Sequence, residues 1–272
     1  LSPADQYNQI TGGNPDLQAE EADTITLGVV LTPTDDLSIS VDYWSIEIEE
    51  TITGIGAENI VRQCAENGLF CDAIVRSGSG SLWQGETGYV INAGLNGGVN
   101  TWEGVDVAGT WTKDALGGTF DVRLVGTYML TKETEIPAAD TYDCTGIISS
   151  RCYASPEWRH TITASYDSNN FWAVTARWRY FGGIDYDGGL TNGKSDGVDT
   201  IVQGEVDSGE SYLDLNATFR ILDNTEILVG INNILDEEPP LVGGSLSSNA
   251  NAVAGFYDTL GQYMYAQATF RF

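Results

Sequence analysis

Alternation of apolar and polar residues over segments of about ten, joined by connections that are short and long in turn, predicts an all-β chain. The fold class is an antiparallel transmembrane β-barrel, with one short helix in an extracellular loop. Three observations predict it: the period of two, the strand length and the sorting of the loops. Residues 211–222 show the period. Leu213, Leu215, Ala217, Phe219 and Ile221 take one side, and Tyr212, Asp214, Asn216, Thr218 and Arg220 the other. Ordinary globular strands average about five or six residues. Strands of about ten cross a bilayer when tilted.

The elements follow in chain order. Nine strands are predicted, at about 22–32, 37–50, 100–113, 119–132, 157–167, 171–182, 210–222, 226–235 and 262–272. Four connections are tight: 33–36, 114–118, 168–170 and 223–225. The other four are long: about 51–99, 133–156, 183–209 and 236–261. Short periplasmic turns and long extracellular loops alternate in this way in outer-membrane barrels. A soluble sandwich has no reason to sort its loops by parity. The helix candidate is 57–75, where Ile60, Val61, Cys64 and Leu69 share a face. Trp44, Trp111, Trp158, Trp172 and Phe272 stand at strand ends, where aromatic girdles form. In the closing strand Met264, Ala266, Ala268, Phe270 and Phe272 face lipid, and Tyr263, Gln267, Thr269 and Arg271 face the lumen.

Composition excludes some partners. The 272 residues hold 12 Lys+Arg against 39 Asp+Glu, a net charge of −27. No basic footprint is present to neutralise phosphates, so nucleic acid is not a partner. The chain begins at Leu1 rather than Met, which reads as a mature or truncated segment. Cys64 and Cys71, and Cys144 and Cys152, form two local pairs in long loops. Neither has zinc-ligand spacing, and His160 is far from both, so disulfides in an oxidising compartment are expected.

No catalytic constellation stands out. His160, beside Trp158 and Arg159, reads as a rim residue with no nucleophile to serve. The protein is not expected to be an enzyme or to carry a cofactor. Asp185, Asp187, Asp196 and Asp199 lie among glycines in one acidic loop. Such oxygen-rich spacing suits Ca²⁺, although it departs from the EF-hand pattern and a solvated loop is the plainer reading. Arg123, Arg177, Arg179 and Arg220 are placed to pair with Asp121, Asp214 and other inward acids, a charge ladder lining the wall. Trp83, Trp102, Tyr142, Tyr153, Tyr186 and Tyr257 lie in or beside long loops, where aromatics contact a ligand or pack loop on loop.

Four stretches resemble TonB-dependent outer-membrane receptors. They are GNPDLQAEEADTITLGVVLTP at 13–33, LSISVDYWSIEIEETI at 37–52, VGINNILDEEPP at 229–240 and YDTLGQYMYAQATFRF at 257–272. The Cys64–Cys71 helix and YVINAGLNGGVNTWEGVDV resemble the proteobacterial receptors that take up carbohydrates and other nutrients. The resemblance implies a 22-stranded barrel, with residues 1–272 as its C-terminal portion. It implies a plug and first strands outside this chain, and a TonB complex that acts through that plug. It also implies an outer-membrane location, contact with lipid and lipopolysaccharide, and a small nutrient ligand: siderophore-iron, cobalamin or carbohydrate. A split barrel completed by a partner chain, or a structural or adhesive β-protein with Ca²⁺-binding acidic loops, is the alternative.

Overall fold

The computed structural model describes residues 8–82, 87–139, 141–149, 152–186, 209–241, 252–253 and 257–271. Among these residues, fifteen strands, one α-helix and one 3₁₀ turn follow in order. They are β1 Gln9–Ile10, β2 Glu21–Thr34, β3 Leu37–Thr53, α1 Ala57–Asn67, a 3₁₀ turn Cys71–Ala73, β4 Ile74–Val75, β5 Tyr89–Ile91, β6 Leu95–Ala115 and β7 Gly118–Glu135. Then come β8 Tyr142–Asp143, β9 Ile147–Ile148, β10 Trp158–Asp167, β11 Trp172–Phe181, β12 Asp185–Tyr186, β13 Glu210–Leu222, β14 Thr225–Asn232 and β15 Tyr263–Phe270. All nine strands read from the periodicity are present. Among the described residues no helix is long and apolar enough to cross a membrane.

The main sheet runs β15-β14-β13-β11-β10-β7-β6-β3-β2, with β8 appended to β7. Every long strand pairs with its sequence neighbour, as hairpin connections dictate. Register then sorts the side chains. Ile162 pairs with Leu124 and Trp178, Ala176 with Ala164 and Leu215, and Val229 with Ala217 and Ala266. That face is apolar. The opposite face carries Thr161 opposite Val125 and Arg179, Thr163 opposite Arg123 and Arg177, and Asn216 opposite Thr175. The apolar side chains are exposed where a soluble sheet would bury them: Val229 is 40% and Met264 71% accessible. A sheet that leaves such a face uncovered suits a hydrocarbon solvent.

Turn chemistry sets the hairpins. Leu116 and Gly117 both take positive φ, at 54° and 79°. That pair matches the right-handed twist of flanking strands, as in a type I′ turn. Trp158, Tyr265 and Trp44 each lie over a glycine. A Cβ on Gly126, Gly230 or Gly104 would come within 2.5 Å of the respective ring.

Contacts divide the chain into two compact units. The first is Leu1–Ile25, Ser45–Trp102 and Lys132–Asp143. It holds a small sheet of order β1-β5-β4 and a core of Ile55, Ile60, Leu82 and Val90, with α1 closed by the Cys64–Cys71 disulfide. The second is Thr26–Trp44, Glu103–Thr131 and Cys144–Phe272. Its loop core is Ile148, Ala154, Ile184, Tyr212, Val253 and Tyr257. The Cys144–Cys152 disulfide lies beside it in sequence.

Three expectations need correction. The helix ends at Asn67 rather than at 75, because Gly68 takes a left-handed φ of 70° and its N–H caps the Cys64 carbonyl. The eighth predicted strand stops at Asn232, because Asn233 takes φ 49°. Trp44 belongs to the polar face, where it covers Gly104, so it is not a lipid-side girdle residue. Trp158 lies on the apolar face, opposite Tyr128. Phe272 lies outside the described residues.

Candidate functional site: the polar wall

Strand register puts the site's side chains in rows. Asp214, from β13, is the hub. It is 3% exposed. Arg179 on β11 donates Nε and Nη2 to its two oxygens, both at 3.2 Å. Arg177 donates Nε at 2.9 Å, and the backbone N–H of Asn233 donates to Oδ1 at 2.9 Å. Arg179 also reaches Asp258 at 3.2 Å and stacks 5.1 Å over the Tyr212 ring. A carboxylate this buried needs such partners, because desolvation alone disfavours its charge.

Asn233 extends the network. It is fully buried; its Nδ2 donates to the Glu237 carbonyl and its Oδ1 accepts from the Glu237 N–H, each at 2.9 Å. Asp236 Oδ1 accepts from the Gln262 backbone at 2.8 Å, and Gln262 Nε2 donates to the Ile234 carbonyl at 2.9 Å. Thus 233–237 and 258–262 are held to the wall and to each other. Tyr257, beside Asp258 and 5% exposed, packs in the loop core. Burial raises its phenol above the ordinary tyrosine range, and the Glu210 carboxylate adds to the shift.

The charge ladder is present but differs in its partners. Arg177 and Arg179 meet Asp214 across strands. Arg123 pairs instead with Asp121 of its own strand at 2.9 Å, two residues away on the same face. Arg220 forks onto Asp167, at 2.9 and 2.6 Å. Arg271 stands 4.0 Å from Glu226. Arg159 has no acid partner among the described residues.

The loop aromatics are dispersed. Tyr142 lies on β8, which pairs Thr134 of β7. Tyr153 is 62% exposed. Tyr186 lies on β12, opposite Ile148 of β9. Trp102 is half-buried on β6. Trp83 lies outside the described residues, as do Asp187, Asp196 and Asp199. Asp185 is exposed, and its backbone N–H donates to the Gly146 carbonyl at 2.7 Å. No group of three metal-ligating side chains occurs among the described residues.

His160 lies on the apolar face. Its Nδ1 accepts from Trp158 Nε1 at 2.9 Å, and its ring meets Trp178 edge-on at 4.6 Å. With Tyr180 at 5.4 Å these rings form an aromatic belt of the kind found at membrane interfaces. Periodicity placed Asp214 beside Arg177 and Arg179 but could not reveal its other partners, because Asp258 is 79 residues from Arg179 and Asn233 is 19 from Asp214. The Asn232-Asn233 pair at the end of a strand, residues that tolerate turn conformations, was the available signal.

An antiparallel sheet of long strands, apolar on one face and threaded with charge on the other, defines a transmembrane β-barrel protein. A sequence model described as TonB dependent receptor-like, beta-barrel matches residues 2–234. The chain belongs to that family. No curated protein matches it. Among solved structures, it is similar to a ferric enterobactin receptor mutant, PfeA, from Pseudomonas aeruginosa. The TM-score is 0.59 at 18% identity, covering 96% of this chain and 32% of that one. The siderophore receptor PirA from Acinetobacter baumannii gives 0.59 at 16% identity, covering 96% and 33%. The FrpB iron transporter from Neisseria meningitidis gives 0.53 at 14%, covering 97% and 33%. At these identities the likeness is one of fold. The chain spans about a third of the length of the structures it matches.

Proposed function

We propose that this chain is the C-terminal part of the barrel wall of a TonB-dependent transporter in the outer membrane. The transporter takes a small nutrient inward, with energy from the TonB complex acting through a plug. The loop aromatics Trp83, Trp102, Tyr142, Tyr153 and Tyr186 are the proposed ligand contacts, Tyr257 being packed in the loop core instead, and lipid and lipopolysaccharide surround the apolar face. The two-faced sheet carries this reading: an uncovered apolar side opposite a wall of threonine, arginine and aspartate. The solved iron and siderophore receptors of the same fold support uptake as the class of activity.

Two measurements test it. The native protein should fractionate with outer membranes, resist carbonate extraction and require detergent for a monodisperse state. Recovery in the aqueous fraction would end the reading. In cells lacking the protein, uptake of labelled ferric siderophores, cobalamin and oligosaccharides should fall for one class. That uptake should also disappear on collapse of the proton-motive force.

A further inference from the structure

The two disulfides stand in opposite settings. Cys144 and Cys152 are buried, at 5% and 1% exposure, in a loop whose Ile148 and Ala154 belong to the core. Backbone bonds hold that loop. The Gly146 N–H donates to the Ser155 carbonyl at 2.7 Å, and the Ser149 N–H to the Cys152 carbonyl at 3.0 Å. The Cys152 N–H donates in turn to Ser149 Oγ at 3.0 Å. A thiol reaches those sulfurs only after the loop has left its core.

Cys64 and Cys71 are placed differently. Cys71 is exposed and Cys64 half-buried. Helix α1 is anchored at its other end, where Ile60 is 4% exposed and Ala57 and Val61 pack beside it. Residues 65–69, between the two cysteines, are all exposed. Beyond them Phe70 and Ala73 return to the core of Ile55, Ile60, Leu82 and Val90. The disulfide therefore bridges a surface excursion whose two roots are held by packing. Inside the excursion the Gly68 N–H donates to the Cys64 carbonyl and the Leu69 N–H to the Gln63 carbonyl, both at 3.2 Å. A disulfide opens when a thiolate attacks one of its sulfurs, so access sets the rate: exposed bonds are labile and buried ones inert.

We infer that the Cys64–Cys71 disulfide is a thiol-exchange site, which takes a small-molecule thiol at Cys71 Sγ and on opening releases residues 65–69 alone. The incoming thiolate forms a bond to Cys71 Sγ. The S–S bond breaks, and Cys64 Sγ leaves with its electron pair. A second thiolate attacks the external sulfur of the mixed disulfide and expels the Cys71 thiolate. Two thiols are thus oxidised to one disulfide, the protein bond takes up both electrons, and the two cysteines take the thiols' protons. Helix α1 has 11 residues, too few to persist without packing. Its last turn therefore frays once the bond is open, while the Ile60 end stays on the core. The inference stands apart from the transport reading, because no uptake enters its test.

Timed reduction tests it in the native protein, kept in outer-membrane vesicles. The vesicles are held in 2-mercaptoethanol without denaturant, quenched in acid and alkylated with N-ethylmaleimide. Each cysteine is then scored by mass spectrometry. Cys64 and Cys71 should become alkylated at least about tenfold faster than Cys144 and Cys152. Early samples should carry the mercaptoethanol adduct on Cys71 in excess over Cys64. Equal rates for the two disulfides, a faster Cys144–Cys152, or no reaction at Cys64–Cys71 overturns the exchange site. Excess adduct on Cys64 overturns the attack at Cys71. Thermolysin is the second arm. It should cut at Leu69 far faster in the reduced, alkylated protein than in the oxidised one, and a Cys64→Ser, Cys71→Ser double variant should be cut like the reduced form. Heat-shifted gel mobility checks that this variant is a folded barrel. Equal cutting of reduced and oxidised protein, or new cuts that reach 57–60 or 89–91, overturns the local release.

Discussion

A glycine under an aromatic ring is a packing decision made one residue at a time. Trp158 covers Gly126 so closely that an added Cβ would meet the ring at 2.5 Å, with the His160 Cβ at 3.2 Å. Gly126→Val therefore has to displace the indole from the wall and break its hydrogen bond to His160. A cost of about 1–3 kcal/mol is expected for overpacking of this kind, read as a lower urea midpoint in detergent micelles. Asp214 makes a larger demand. It neutralises two arginines and caps the Asn233 N–H while 3% exposed. Asp214→Ala leaves the half-buried Arg179 short of its main partner. A loss of about 3–5 kcal/mol follows, with the smaller loss in Asp214→Asn, which keeps an acceptor for Asn233. Equal stability of D214A and wild type in urea unfolding would show that the hub is not structural. The sequence displayed Asp214 and both arginines in alternation, so the ladder was legible. Asp258 and Asn233 were not, since nothing local reports a contact across 79 or 19 residues.

Elements were legible where a repeating pattern governed them. Ten or more residues of alternation leave one choice of face, because a slip of one residue would turn every apolar side chain inward. The short strands were hidden for the opposite reason. β1 and β5 are two and three residues long, and they pair Gln9 with Val90 across the whole of β2, β3 and α1. No periodicity exists in so few residues. Helix α1 shows a third case. Its apolar spacing continues past Asn67, but Gly68 and Phe70, with φ 60°, turn the backbone before the pattern ends. The disulfides were read from local spacing, and both bonds are made. The Cys144–Cys152 bond closes a loop of 8-residue separation, and its removal should cost the loop about 2–3 kcal/mol. A Cys144→Ser, Cys152→Ser double variant should be cleaved by protease within 144–157 at far lower enzyme concentration than wild type. The barrel strands should stay protected. Unchanged cleavage would mean that the Ile148, Ala154 and Tyr257 core holds the loop without the bond.

At the scale of the molecule the question is which face meets lipid, and two substitutions on strands with one strand between them answer it. Val229 is 40% exposed and sits between Ala217 and Ala266 on the apolar face. Thr175 pairs Ser165 and Asn216 on the other face. Both lie near the middle of their strands, so depth is matched and only the side of the wall differs. An arginine placed in the hydrocarbon at mid-depth costs about 2–4 kcal/mol. A lysine on a wet wall stays within about 0.5 kcal/mol, as for ordinary surface changes. Val229→Arg should therefore lower unfolding free energy in lipid vesicles by the larger amount, and Thr175→Lys should leave it near wild type. The gap should narrow in thinner bilayers, where the arginine snorkels to an interface more readily. A soluble half-buried sheet predicts another result, because its apolar face would be covered by protein and the cost of Val229→Arg would not respond to bilayer thickness. Reversal of the two costs would exchange the faces and, with them, place the Arg177–Asp214–Arg179 network in lipid instead of on the wet wall.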